Sequence, residues 1–215
     1  MSEALDDVFG WELLQLGIWG VSDRLLSGCR TRRRAVIADR RVDGADIAAR
    51  LSQLPISNAS VDAVVLPHTL EFETDPYAVV READRVLAGE GHLIVLGFRP
   101  FSLWGFRSRA ISRGYPPGLK RMLGAGRIAD WLELLGYDVS LTRNYLFAPP
   151  WGGAAPRGNE PSALLRRGWF KPWPAGAYLI KARKRVFSLT PLRPKLQRTQ
   201  AIGGLVKPTT PRQSS

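Results

Sequence analysis

Cysteine and histidine are nearly missing from this 215-residue sequence: Cys29, His68 and His92 are all there is. One cysteine cannot close an internal disulfide, and so small a set offers no zinc-ligand spacing, so no metal site is expected. Cys29 reads as a small buried helix residue. Also missing is any uninterrupted apolar run near the ~20 residues that span a bilayer. The first residues, MSEALDD, are acidic where a secretory signal has a positive n-region and an apolar h-region. The expectation is a cytoplasmic protein.

Acidic residues are absent from one end only. The formal net charge is +12, yet residues 1–160 hold 19 basic and 19 acidic side chains, while residues 161–215 hold 12 basic and no acidic ones. A neutral body with a basic end differs from a basic binding face. From Ser188 onward Pro, Ser, Thr, Gln and basic residues alternate with little to bury, so the expected organisation is one domain over residues 1–187 and a disordered basic tail over 188–215.

What is present is an alternation of apolar runs and amphipathic stretches. Residues 3–12 suit a short helix, ELLQLGI (12–18) a buried strand, and SDRLLSGC (22–29) a helix opened by Ser22. RRRAVIADRR is a short apolar run framed by arginines and ending at Asp39. SVDAVVLP is a third buried strand, DPYAVVREADRVLAGEG an amphipathic helix with a glycine stop, and HLIVLGF the next strand. GRIADWLELLGYDVSLTRNYLF supplies a helix, a glycine C-cap and a strand, and GAYLIKARKRV a last strand. Such alternation predicts a doubly wound α/β sheet, mostly parallel, with an antiparallel last strand. Two segments do not fit that alternation. APPWGGAAPRGNEPS is too rich in Pro and Gly to be an element, and a short helix, ALLRRGWF, follows it. FRPFSLWGFRSRAISRGYPPGLKR reads as a loop interleaving aromatics and cations; it either shapes a substrate entrance or packs Phe101, Trp104 and Phe106 into the core.

Residues 51–98 hold a collinear set of short motifs: Leu54-Pro55, Ser60-Val61-Asp62, Leu70-Glu71-Phe72, Arg81-Glu82 with Arg85-Val86-Leu87, and Gly89-Glu90-Gly91. In this the chain resembles the type 11 family of class I S-adenosylmethionine-dependent methyltransferases, and more loosely it does so over residues 10–185. The resemblance implies a Rossmann-like methyltransferase sheet, S-adenosylmethionine as cofactor and methyl transfer to an unidentified acceptor, a small molecule before a macromolecule. It implies a glycine loop after the first strand (Gly17, Trp19, Gly20), an acid on the ribose hydroxyls (Asp39), and further cofactor contacts at Leu54, Leu66 and His68. His68 is the candidate general base, and Glu71 a weaker one that a helix N-cap role would also explain. Two departures stand out. Gln15 replaces the loop's acid and Trp19 its middle glycine, and Arg50 and Leu51 lie where the family often has an acid for adenine. A second reading is a cofactor-less binding module of the same fold whose basic C-terminus contacts nucleic acid or acidic surfaces.

Overall fold

Stretches of two to twelve residues, most of them apolar and bounded by turn residues, form the strands of one sheet. The computed structural model describes residues 10–18, 31–110, 116–146 and 175–186. In chain order the strands are β1 (Glu12–Leu16), β2 (Arg33–Ala38), β3 (Ile47–Ala48), β4 (Val61–Pro67), β5 (Leu87–Phe98), β6 (Tyr137–Tyr145) and β7 (Ala177–Lys184). They pair in the order β3-β2-β1-β4-β5-β7-β6. The pairings from β3 through β5 are parallel, and β7 runs antiparallel to both β5 and β6. The strand order reverses between β1 and β4, which is where a doubly wound sheet opens its ligand crevice.

Alternate residues of β4 serve opposite faces. Val64 and Leu66 join the larger core with Leu14, Leu93 and the inner sides of α1 (Pro76–Val86) and α3 (Ala125–Leu134); Ala63 and Val65 join a second cluster with Leu13, Ile94 and Leu179. Burial on both faces explains why this strand reads as a continuous apolar run.

The start of α1 follows its sequence closely. Asp75 Oδ1 accepts the Ala78 N–H at 3.1 Å, Pro76 occupies the first turn, and Val79, Val80, Ala83 and Val86 form the buried side. Its end does not, because the expected glycine stop is absent. The helix closes at Val86, Leu87 already pairs with Val61, and Lys184 Nζ donates to the carbonyls of Asp84 (2.7 Å) and Leu87 (3.3 Å). Gly89-Glu90-Gly91 is an irregularity inside β5, after which pairing resumes at His92.

Two elements depart from the sequence reading. The two-residue β3 adds a strand, making SVDAVVLP the fourth, and Leu103–Ala110 forms a helix, α2, inside the segment read as a loop. Ser102 Oγ accepts the Gly105 N–H, and a Cβ at Gly105 would lie 2.1 Å from the Pro100 carbonyl oxygen, so this helix needs its glycine. The expected helix over 3–12 is corrected at its end, since Glu12 begins β1. Its residues 3–9, the helix over 22–29, the segment 147–174 and the tail 188–215 lie outside the described residues.

Candidate functional site

At the carboxyl end of β1 the chain turns at Gly17, whose φ is +86°. Its N–H donates to the Ile37 carbonyl of β2 at 2.7 Å, and a Cβ there would meet Thr69 Oγ1 at 2.6 Å. Thr69 Oγ1 in turn donates to the Leu16 carbonyl at 2.5 Å. Gly17 is therefore required twice over, by its left-handed backbone and by the side chain that closes over it. The buried Gln15 donates from Nε2 to the Gly17 carbonyl at 2.9 Å. A carboxylate has no proton to give there, which supplies a physical reason for an amide in place of the family's acid. Trp19 and Gly20, the remaining expected loop contacts, lie outside the described residues.

At the end of β2 the chain leaves the sheet at Asp39, which is exposed. It lines a cleft of about 320 Å³ with Arg50, Leu51, Ser52, Glu73, Thr74, Asp75 and Ala78. Arg50 and Leu51 thus do face the cleft, although neither is an acid. Glu73 shares its lining, and burial together with the nearby Asp39 charge holds its carboxyl above the ordinary glutamate range, partly offset by Lys120.

The loop after β4 is the most buried polar region. His68 takes a positive φ of 54°, held by its N–H to the Leu96 carbonyl at 2.9 Å, and only 3% of it is exposed. Its Nε2 lies 2.6 Å from the Tyr145 hydroxyl at the end of β6, and its Nδ1 3.8 Å from Glu71 Oε1. Glu71 is equally buried, and its Oε1 accepts the Phe98 N–H at 2.6 Å. The N-cap of α1 is Asp75, so Glu71 has no N-cap role. The Phe98 ring packs on His68 with centroids 4.0 Å apart, and Trp104 of α2 stacks on Phe98 at 6.4 Å and 18°. Burial, and then the Glu71 charge, push the Tyr145 phenol well above its usual range, so it stays protonated at neutral pH.

Several family motifs prove to be braces. Asp62 Oδ2 accepts the N–H groups of Trp11 (2.6 Å) and Glu12 (3.0 Å), fixing the start of β1. Glu82 accepts the Leu54 N–H at 2.6 Å, while Arg85 donates to the Leu54 carbonyl (3.1 Å) and to Glu82 (2.8 and 2.9 Å). The side chains of Leu54 and Leu66 are buried in the larger core and do not line the cleft. The structure thus brings Asp39 together with residues 50–52 and 73–75, and His68 together with Glu71 and Tyr145. Tyr145 was invisible to motif reading, its only signal being an aromatic residue closing a strand. In α2, Trp104 is half-buried, but Phe101 (83% exposed) and Phe106 (71%) face outward, which removes the core-packing expectation for those two.

Residues 23–95 match the methyltransferase domain family. The chain is 37% identical over 141 residues to YafS of Escherichia coli K12, an uncharacterised protein; the match covers 64% of this chain and 54% of that one, so the chain spans about half the relative's length. Among solved structures it is similar to a SAM-dependent methyltransferase from Archaeoglobus fulgidus, with a TM-score of 0.60, 13% identity and coverage of 85% of this chain and 89% of the other. It is also similar to the cyclase SpnF, with a TM-score of 0.57, 17% identity and coverage of 86% and 78%. The second likeness shows that this fold hosts more than one chemistry. Among the described residues no three His, Cys, Asp or Glu side chains group as a metal site, and no helix is long and apolar enough to cross a membrane. The match over residues 23–95 and the strand order give the chain a methyltransferase-like region and the Rossmann-like fold of the S-adenosylmethionine-dependent methyltransferases it resembles.

Proposed function

We propose that the chain binds S-adenosylmethionine in the cleft beyond β2 and transfers its methyl group to a small acceptor, acting in the cytoplasm. The single observation that carries the reading is the position of Asp39, exposed at the carboxyl end of β2 in a cleft next to the strand-order switch point. A carboxylate at that position suits a vicinal diol, accepting both of its hydroxyl protons. Leu51 and Ser52 line the same cleft and offer an apolar contact and a hydroxyl for a base. When bound, the cofactor supplies an electrophilic methyl carbon, and what the chain must add is positioning and the exclusion of water; proximity alone supplies roughly 7–11 kcal/mol of such a barrier.

Calorimetry with S-adenosylhomocysteine tests this. Saturable binding is expected for the wild-type chain, and Asp39→Ala should weaken it about 100-fold, in line with loss of hydrogen bonds to an ionised acceptor. A wild-type protein that takes up no ligand at millimolar concentration sinks the reading. The 12 cations of residues 161–215, a stretch without an acidic residue, favour a second one, a cofactor-less module contacting nucleic acid. Affinity for duplex DNA at low salt that is unchanged by removing residues 188–215 would eliminate it.

A further inference from the structure

We infer that the Tyr145 hydroxyl is the group that takes the acceptor's proton, that His68 receives a proton through it, and that the acceptor is a phenol. The inference rests on the methyltransferase reading above and concerns a residue that no family motif singles out. It begins from an obstruction. His68 is 3% exposed and its Nε2 is 2.6 Å from the Tyr145 oxygen, so an acceptor cannot reach the imidazole directly. Tyr145, half-buried, is the outer end of the same array.

Three groups lie in line from outside to inside: the Tyr145 hydroxyl, the His68 imidazole and the Glu71 carboxylate. The titratable groups facing His68 among the described residues are Tyr145 from β6 and Glu71 from its own loop, with Tyr178 of β7 close enough to feel the charge of Glu71 and the presence of Tyr145. With the Tyr145 hydroxyl donating to Nε2, the imidazole proton is placed on Nδ1, facing Glu71. As the acceptor attacks, its O–H bond breaks and the proton goes to Tyr145 Oη while the Tyr145 proton passes to His68 Nε2. The electron pair left on the acceptor oxygen forms the bond to the methyl carbon, and the pair of the breaking C–S bond stays on sulfur as a neutral thioether. The imidazolium so formed lies beside the Glu71 carboxylate, whose Oε2 has no hydrogen-bond partner among the described residues.

The acceptor class follows from two independent features. A relay is useful only where a proton must leave as the bond forms. A neutral amine attacks through its lone pair without one, whereas a phenol gains from a base of imidazole strength. The wall beside the relay is aromatic, with the buried Phe98 packed on His68 and Trp104 stacked on Phe98, and the half-buried Trp104 is the ring of this wall open to contact with an aromatic acceptor.

The test uses the full chain and two variants, Tyr145→Phe and His68→Gln, each first titrated with S-adenosylhomocysteine. Unchanged cofactor affinity is expected for Tyr145→Phe; if the wild-type chain does not bind, the methyltransferase reading fails and not merely this one. Nitrogen-15 NMR of the neutral imidazole should find His68 protonated on Nδ1 in the wild-type chain, with Tyr145→Phe shifting the proton toward Nε2. Methyl transfer from S-adenosylmethionine to phenol and catechol should proceed in the wild-type chain. Both variants should lose about 100-fold in kcat with little change in KM. Protonation on Nε2 in the wild-type chain, a kcat unmoved by Tyr145→Phe, or no transfer to either phenol by cofactor-binding wild-type protein overturns the inference.

Discussion

The cleft rim around Asp39 and the buried array around His68 are built at the carboxyl ends of β2 and β4, the two strands that flank β1, yet they are held in opposite ways. At the rim, Asp39 is exposed and is placed by the backbone of β2, whose register is set by β1 and by the Gly17 N–H to the Ile37 carbonyl. In the array each side chain holds another. Thr69 is bonded to Leu16, His68 lies against Tyr145 and Phe98, and Glu71 takes the Phe98 N–H. Function and stability are therefore separable at the rim and entangled in the interior, where removal of one partner strands the others in a low-dielectric setting.

Substitutions can break that contrast in graded fashion. The largest effect is expected at the joint between the regions: Gly17→Ala adds a Cβ at positive φ and 2.6 Å from Thr69 Oγ1, and should cost about 3 kcal/mol in urea unfolding. Combining it with Thr69→Ala should cost less than the two single changes summed, which a double-mutant cycle would read. Next comes Arg85→Ala, which releases the Leu54 carbonyl and Glu82 from a partly exposed clamp; a loss of about 1–2 kcal/mol is expected.

The rim should respond more weakly and with the other sign. Glu73→Gln removes a carboxyl whose folded-state pKa is raised above 4.5 by burial and by Asp39. Between that value and the raised one the folded state binds more protons than the unfolded chain, so wild-type stability falls as pH rises through this window. The variant should thus be more stable at pH 7 by up to about 1 kcal/mol, and the gain should vanish below pH 4.5. Smallest of all is the stability change for Asp39→Ala, within about 0.5 kcal/mol although its cofactor affinity collapses. A large destabilisation there would erase the distinction between rim and interior.

Much of this was legible in the sequence because it depends on short-range pattern. β1, β2 and β4 carry apolar runs with clear bounds, β6 mixes polar with apolar residues, β7 opens on an apolar run, and Asp75-Pro76 announces the start of α1. Where reading failed, the signal was either too short or too distant. Two residues of β3 show no period. Gly105 amid arginines and aromatics disguised α2 as a loop, although that glycine is what lets the helix approach Pro100. Tyr145 lies 77 residues from the histidine it touches, and nothing local marks the pair.

The sequence by itself determined the alternation of strands and helices and the placement of an acid at the end of the second strand, because burial periodicity and turn chemistry act over a few neighbouring residues. Only the tertiary structure decided what the conserved-looking motifs do. It turned Asp62, Glu82 and Arg85 into braces, put Thr69 over Gly17, and closed Tyr145 over His68. Those outcomes depend on strands far apart in the chain being brought side by side in one sheet, and no local pattern encodes which side chains then meet.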